Sequence, residues 1–396
     1  MKRREFIQRS SLASGTLLVP NFLKAVESSV LGGANHKRVV VIQLSGGNDG
    51  LNTLIPYTND IYYRSRPQLA VKSNDLIKIT DTLGFHSQLK PLMRLYDKGY
   101  LAILNNVGYP NPDRSHFRST DIWHTASGSD EYLTSGWMGR YIESHGQKPY
   151  NAIEIDDSLS LMLKGENMNG IATKNAKLLH NNMNTPYFKK ILNQQTDQHL
   201  SEHNLGYLYK TMIEARSSAK YIYETSKTNP SKKQYPDNPF GKQLKTTAEF
   251  INSRLDTQMY YVSMGGFDTH ANQVNTQSRL LYIYSDAVET FVQDLDDNGT
   301  LENTLILTFS EFGRRVQENA SRGTDHGAAN NVFLISKNLK KPGFFNSGPN
   351  LNDLDANNDL KYDIDFRSIY ATILSNWLGV EQKSILRTSF DTLEFV

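Results

Sequence analysis

The 396-residue chain contains no cysteine. That excludes a disulfide framework and a lipid anchor on a cysteine, and it leaves carboxylates and imidazoles as the side chains able to grip a metal. Net charge is almost absent as well. With 43 Lys and Arg against 41 Asp and Glu the formal balance is +2, which gives no reason to expect a nucleic-acid partner. No internal repeat is visible. What the chain does have is core-forming material: 38% hydrophobic residues, with 21 Tyr and 17 Phe, enough for one large domain or two ordinary ones.

The charge is unevenly spread. Residues 1–25 hold Lys2, Arg3, Arg4, Arg9 and Lys24 against the single Glu5. Arg3-Arg4-Glu5-Phe6-Ile7 followed by a modestly apolar stretch from Leu12 to Leu23 reads as a twin-arginine export signal over residues 1–30. The bland reading is a basic amphipathic helix. The apolar part is too short for a permanent membrane anchor, which takes about 20 residues. The export reading implies the twin-arginine translocase as a transient partner and a periplasmic or secreted destination.

Beyond a polar joint at 32–37, apolar runs alternate with helical patterns. Arg38–Leu44, Tyr100–Val107, Met259–Val262, Thr304–Phe309 and Val332–Ile335 read as buried strands. Ser87–Lys98, Phe240–Arg254, Gln277–Asp296 and Phe366–Leu378 read as helices, the third with Leu281, Tyr284, Val288, Phe291 and Leu295 on one face. This alternation predicts a doubly wound α/β sheet over residues 36–396. A polar stretch from about 159 to 239, with helical runs at Tyr187–Gln194 and Leu205–Thr225, reads as a helical insertion.

Ligand sites in open α/β sheets lie beyond the strand ends, and four groups of reactive residues fall there. Asp49 closes the turn Ser45-Gly46-Gly47-Asn48-Asp49-Gly50; it is a metal ligand or an ordinary turn aspartate. Ser115-His116 follows the second strand at a helix start, where serine is a nucleophile or simply an N-cap. Asp268 and His270, two apart in an extended segment, point to the same side. Asp325-His326-Gly327 follows Ser310-Glu311-Phe312-Gly313-Arg314-Arg315, which adds a carboxylate and two cations. Oxygen and imidazole donors together suit zinc, manganese or calcium, and arginines beside them can hold a tetrahedral oxyanion.

LSGGNDGLNTLIPY (44–57), GYPNPDRSHFRSTDIW (108–123), GWMGRY (136–141), GGFDTHANQ (265–273), TFSEFGRR (308–315), GTDHGAANNVFLI (323–335) and DFRSIYATIL (365–374) together carry a resemblance. The chain resembles the domain of unknown function 1501 family, exported proteins of the alkaline phosphatase and sulfatase superfamily. The resemblance implies an alkaline phosphatase-like sheet with helices on both faces and a metal centre of one or two divalent ions. It implies Ser115 as nucleophile, Asp49 as the first metal ligand, Asp268, His270 and His326 as later ligands, and Glu311 in place of a customary Asp. Asp325 stands beside them as a further candidate. The residue after Glu311 is Phe312 where a second ligating His is customary. Sulfatases of this kind commonly carry Cys/Ser-x-Pro-x-Arg, which is missing around Ser115, so phosphate esters are favoured over sulfate esters.

The sequence thus predicts an exported hydrolase of small-molecule or polysaccharide esters. Ser115 would attack, Arg114 or Arg314 would contact the transferred group, and Asp49, Asp268, His270, Glu311, Asp325 and His326 would supply metal ligands. The rival readings keep the fold without turnover: a non-catalytic metal-binding or assembly protein, or a carbohydrate binder using Tyr207, Tyr209, Tyr221 and Tyr223 of the insertion.

Overall fold

A computed structural model describes residues 36–193 and 204–396; the export signal read at 1–30 lies outside the described residues. From the N-terminal side, β1 (Arg38–Leu44) is followed by a three-stranded side sheet of β2 (Leu54–Ile55), β3 (Leu76–Lys78) and β4 (Gly84–His86), with α1 (Asp60–Ser65) among them. Next come α2 (Lys90–Asp97), β5 (Leu101–Gly108), α3 (His116–Thr125) and α4 (Trp137–Tyr141). Short strands β6 (Ala152–Glu154) and β7 (Ile171–Ala172) precede α5 (Ala176–Met183), α6 (Pro186–Asn193), α7 (Asn204–Ser226) and α8 (Pro239–Asn252). After them run β8 (Met259–Met264), α9 (Gln273–Asp297), β9 (Thr304–Phe309) and β10 (Asn330–Ile335). The last elements are β11 (Gly343–Phe344), β12 (Ile364–Asp365), α10 (Phe366–Thr372) and α11 (Gln382–Leu386).

The main sheet has nine strands in the order β11-β5-β10-β9-β1-β8-β6-β7, with β12 also on β5. Every residue of β1 is buried, as a strand covered on both faces must be. Its alternate side chains feed two cores. Val40, Ile42 and Leu44 pack with Leu244 and Ile251 of α8 and Leu281, Tyr284 and Val288 of α9. Val39 and Val41 pack with Trp123, Trp137 and Tyr370 from the helices of the other face. The sheet is mixed: β1 is parallel to β8 and β9, whereas β10 is antiparallel to β9 and β5. The antiparallel β10 places the residues before it at the same sheet edge as the residues after β1, β5, β8 and β9.

Two segments differ from the periodicity reading. Within 159–239, Ile171–Ala172 pair with β6 as the last strand of the sheet, and the helical excursion proper is α5 to α7. Helix α9 starts at Gln273, four residues before the apolar pattern does, because Gln273 and Gln277, buried on its first two turns, are glutamines bonded to the β1 turn. In the insertion, Tyr221 lies on Tyr150 and Tyr223 on His180, so both rings pack internally. The side chains of Tyr207 and Tyr209 lie outside the described residues. None of the described helices is long and apolar enough to cross a membrane.

Glu154 ends β6 in a buried position, its Oε2 accepting the Ser160 N–H at 2.6 Å. Burial pushes its carboxyl up to about 7 from 4.5. A carboxyl raised in the folded state contributes stability that is complete below pH 4.5 and is lost as pH rises to about 7. Glu154→Gln is therefore expected to exceed the parent in urea-unfolding stability by on the order of 2 kcal/mol at pH 8 and to match it at pH 4. A stability difference that does not change with pH contradicts this.

Candidate metal centre

Four loops meet at the sheet edge, and their backbones approach too closely for ordinary residues. Gly46 and Gly47 hold φ of +116° and +72°. A Cβ on Gly46 would strike the Asp268 amide, and one on Gly47 would strike the Phe312 ring. The β1 turn can therefore fold flat beneath the loops that follow β8 and β9.

Asp268 stands at the centre. Its Oδ1 lies 3.0 Å from His270 Nε2, 3.1 Å from His326 Nε2 and 3.4 Å from His116 Nε2. Arg314 donates to the same oxygen at 2.7 Å. Partial burial opposes ionisation of Asp268, but Arg314 and His326 outweigh it and hold the carboxyl down at about 2. The atoms offered by His116, Asp268 and His326 all lie within 4.8 Å of one another.

Each imidazole is fixed from behind. His116 Nδ1 is 2.8 Å from Glu311 Oε1, His326 Nδ1 is 2.8 Å from the Arg114 carbonyl, and His270 Nδ1 is 3.3 Å from Asp325 Oδ1. Those partners accept, so each Nδ1 donates, and the neutral form of each ring presents its Nε2 lone pair toward Asp268. The tautomers follow from the network. The result is three Nε2 atoms turned toward one carboxylate, with His270 and His326 Nε2 only 2.9 Å apart. Two lone pairs that close repel unless a proton or a cation lies between them. His116 Nε2 is buried without a hydrogen-bond partner. A buried imidazole nitrogen without a hydrogen-bond partner, together with a carboxylate and two more imidazoles, is a donor set that fits a divalent metal ion such as zinc. The Glu311 bond raises the His116 pKa, while burial lowers that of His326.

The remaining sequence-predicted residues fall in different places. Glu311 is buried directly behind His116, its Oε1 also accepting the Gly46 N–H at 2.7 Å. Asp325 backs His270 and is held by Asn319 at 3.0 Å. Asp49 is not brought to the cluster: fully buried, it pairs with Arg66 at 2.7 Å and accepts from Gln273 and the Asn52 N–H. Arg314 lies beneath the site, where its guanidinium donates to the carbonyls of Gly46, Gly47, Phe267 and Thr324 as well as to Asp268. Arg114 reaches away to Asp359 and contributes only its carbonyl. Ser115 is exposed at the N-cap of α3, next to His116. Its hydroxyl does not cap the helix, unlike the usual N-cap serine.

His116 was grouped with Ser115 in the sequence but not read as a donor, and two residues were not singled out: Arg66, the partner of Asp49, and Gln43, whose buried amide lies 3.4 Å from Glu311 Oε2. A signal for Gln43 was present, since it is the one polar residue amid the apolar run Val39–Leu44. For His116 the signal was its place at a helix start beyond a strand. Arg66 carried none, because its pairing spans a loop.

The family described as Protein of unknown function (DUF1501) matches residues 36–385. No curated protein matches. Among solved structures, the chain is similar to the lipoteichoic acid synthase LtaP from Listeria monocytogenes, at 10% identity and a TM-score of 0.42 over 92% of this chain and 75% of that one. It is similar to the PsFucS1 sulfatase from Pseudoalteromonas sp., at 12% identity and a TM-score of 0.40 over 95% and 75%. It is also similar to the C-terminal periplasmic domain of EcEptC from Escherichia coli, at 13% identity and a TM-score of 0.38 over 88% and 83%.

The enclosed Asp49–Arg66 pair yields a test of its own. Arg66→Met strands a buried carboxylate and is expected to cost about 3–5 kcal/mol in urea unfolding. Asp49→Asn is expected to leave zinc affinity, read by calorimetry, far short of the roughly 10–100-fold loss that follows damage to a ligand's support. A loss of that size in Asp49→Asn would make Asp49 a ligand.

Proposed function

We propose that this chain, which belongs to the DUF1501 family, is an exported metal-dependent hydrolase of phosphate esters. One observation carries the reading: the Nε2 atoms of His116, His270 and His326 converge on Asp268 Oδ1, and His116 directly follows Ser115, whose hydroxyl does not cap α3. His116, His270, His326 and Asp268 would hold the ion. When bound, it neutralises charge on the transferred group and favours an ionised oxygen nucleophile.

The chain's own groups do the rest. Ser115 Oγ attacks phosphorus, the bond to the leaving oxygen breaks, and that oxygen takes up a proton. Water then cleaves the phosphoserine, returning the hydroxyl and releasing phosphate. Ser115 stands at the N-terminus of the ten-residue helix α3, and the first turn of a helix is a favourable setting for an anion. Arg314 sets Asp268, and Phe312 closes the floor between His116 and His326, with ring centroids 4.8 Å and 4.6 Å away.

A second reading has its own support. Arg114 and Arg314 are both committed to protein partners, which leaves neither guanidinium free to grip a transferred phosphoryl group. A metal-binding protein without turnover fits that observation.

The two readings part on one assay. The zinc- or manganese-loaded protein is expected to hydrolyse an aryl phosphate faster than an aryl sulfate. Ser115→Ala is expected to lose at least about 100-fold in kcat while keeping its metal content. Equal rates in the parent and Ser115→Ala would remove Ser115 from the chemistry, and a parent without turnover on either ester would leave the binding reading.

A further inference from the structure

We propose that the site holds a single divalent ion, with His116, His270, His326 and Asp268 as its donors, and that Glu311 and Gln43 are positioning residues that turn the His116 lone pair toward it. The inference rests on the metal reading above and deepens it.

The first part follows from where the other carboxylates are engaged. A second ion would need oxygen or nitrogen donors beyond those four. Asp49 has one oxygen on Arg66 and Gln273 and the other on the Asn52 N–H. Glu311 has Oε1 on the Gly46 N–H and His116, and Oε2 facing Gln43 at 3.4 Å. Asp325 lies on the far side of the His270 ring, at Nδ1. The buried Phe312 ring lies against both His116 and His326. That volume is hydrocarbon and offers no donor.

The second part follows from Gln43, a buried amide on β1. Its Oε1 accepts from the Tyr261 hydroxyl and faces His124 Nε2 at 3.2 Å. With the oxygen turned that way, the NH2 group faces Glu311 Oε2 and Thr120 Oγ1. The reverse orientation would press the amide oxygen against a buried carboxylate, acceptor against acceptor, which is the arrangement buried polar groups avoid. The amide therefore has one favourable orientation, and it donates to Glu311. Glu311 in turn accepts from His116 Nδ1. Among the described residues its ion-pair partner is His116 and no Lys or Arg. The order β1 amide, β9-end carboxylate, α3 imidazole fixes a tautomer, and through it the direction of a metal donor.

The full chain, purified folded and reconstituted with zinc, tests both parts. Elemental analysis is expected to find one zinc per chain. Two per chain would overturn the single-ion inference and leave the metal reading intact; none would remove the metal reading itself. In metal-free protein with 15N-labelled histidine, NMR is expected to show His116 protonated at Nδ1 alone. In Glu311→Gln and Gln43→Leu that signature is expected to shift toward a tautomer mixture, with zinc affinity falling about 10–100-fold. If Gln43→Leu does not fold, Glu311→Gln, which keeps the shape, decides alone. An unchanged His116 signature in the folded variants would overturn the positioning roles.

Discussion

Arg314 is the contact on which the rest of the site depends. Its guanidinium is buried, and it ties the turn after β1 through Gly46 and Gly47, the loop after β8 through Phe267 and Asp268, and the loop before β10 through Thr324. A buried cation is costly unless its donors are satisfied, and here each guanidinium nitrogen meets an oxygen. Most of those oxygens are backbone carbonyls, so the charge is compensated by loop geometry. The loops cannot drift apart without stranding Arg314. A lysine could not replace it, because one ammonium cannot present a planar fork to three loops at once.

The same logic appears one layer outward. Asp49 and Arg66 compensate each other beneath the first turn, and Gln273 and Gln277 at the start of α9 bind that turn from above. This keeps the Gly46–Gly47 backbone in its left-handed conformation and lets Gly46 donate to Glu311. Asp49, read from sequence as a candidate ligand, is here engaged by Arg66, Gln273 and the Asn52 N–H, contacts that brace the turn.

Much of this was legible in the chain. The buried strands β1 and β9 have the bounds their apolar runs predict, and Asp268, His270 and His326 meet because all three follow or precede strands at one edge. What sequence could not supply was the sign of β10. An apolar run reads the same in either direction, and only the antiparallel pairing puts His326, which precedes β10, beside residues that follow β1, β8 and β9. Nor could it rank carboxylates. Asp49, Asp268, Glu311 and Asp325 are all simply acidic in sequence; their partners, Arg66 across a loop, Gln43 on another strand and Asn319 six residues off in the same loop, separate them in the fold.

Exposure then separates support from action. Arg314, Asp49 and Glu311 are buried, whereas Asp268, His270, His116 and His326 are each partly open to solvent and Ser115 is exposed. Groups that must meet a ligand lie on the accessible side, and groups that hold them have lost their water and found protein partners instead. This division accounts for the three imidazoles crowding one carboxylate oxygen. Nothing in the packing beneath requires them to approach so closely, yet every Nδ1 contact directs them there. A constellation held in place by its buried side, with its imidazoles and carboxylate partly open to solvent, presents those groups to a ligand arriving from outside. Phe312 sharpens that direction, because with hydrocarbon on one flank of His116 and His326 the open side is where a cation can enter.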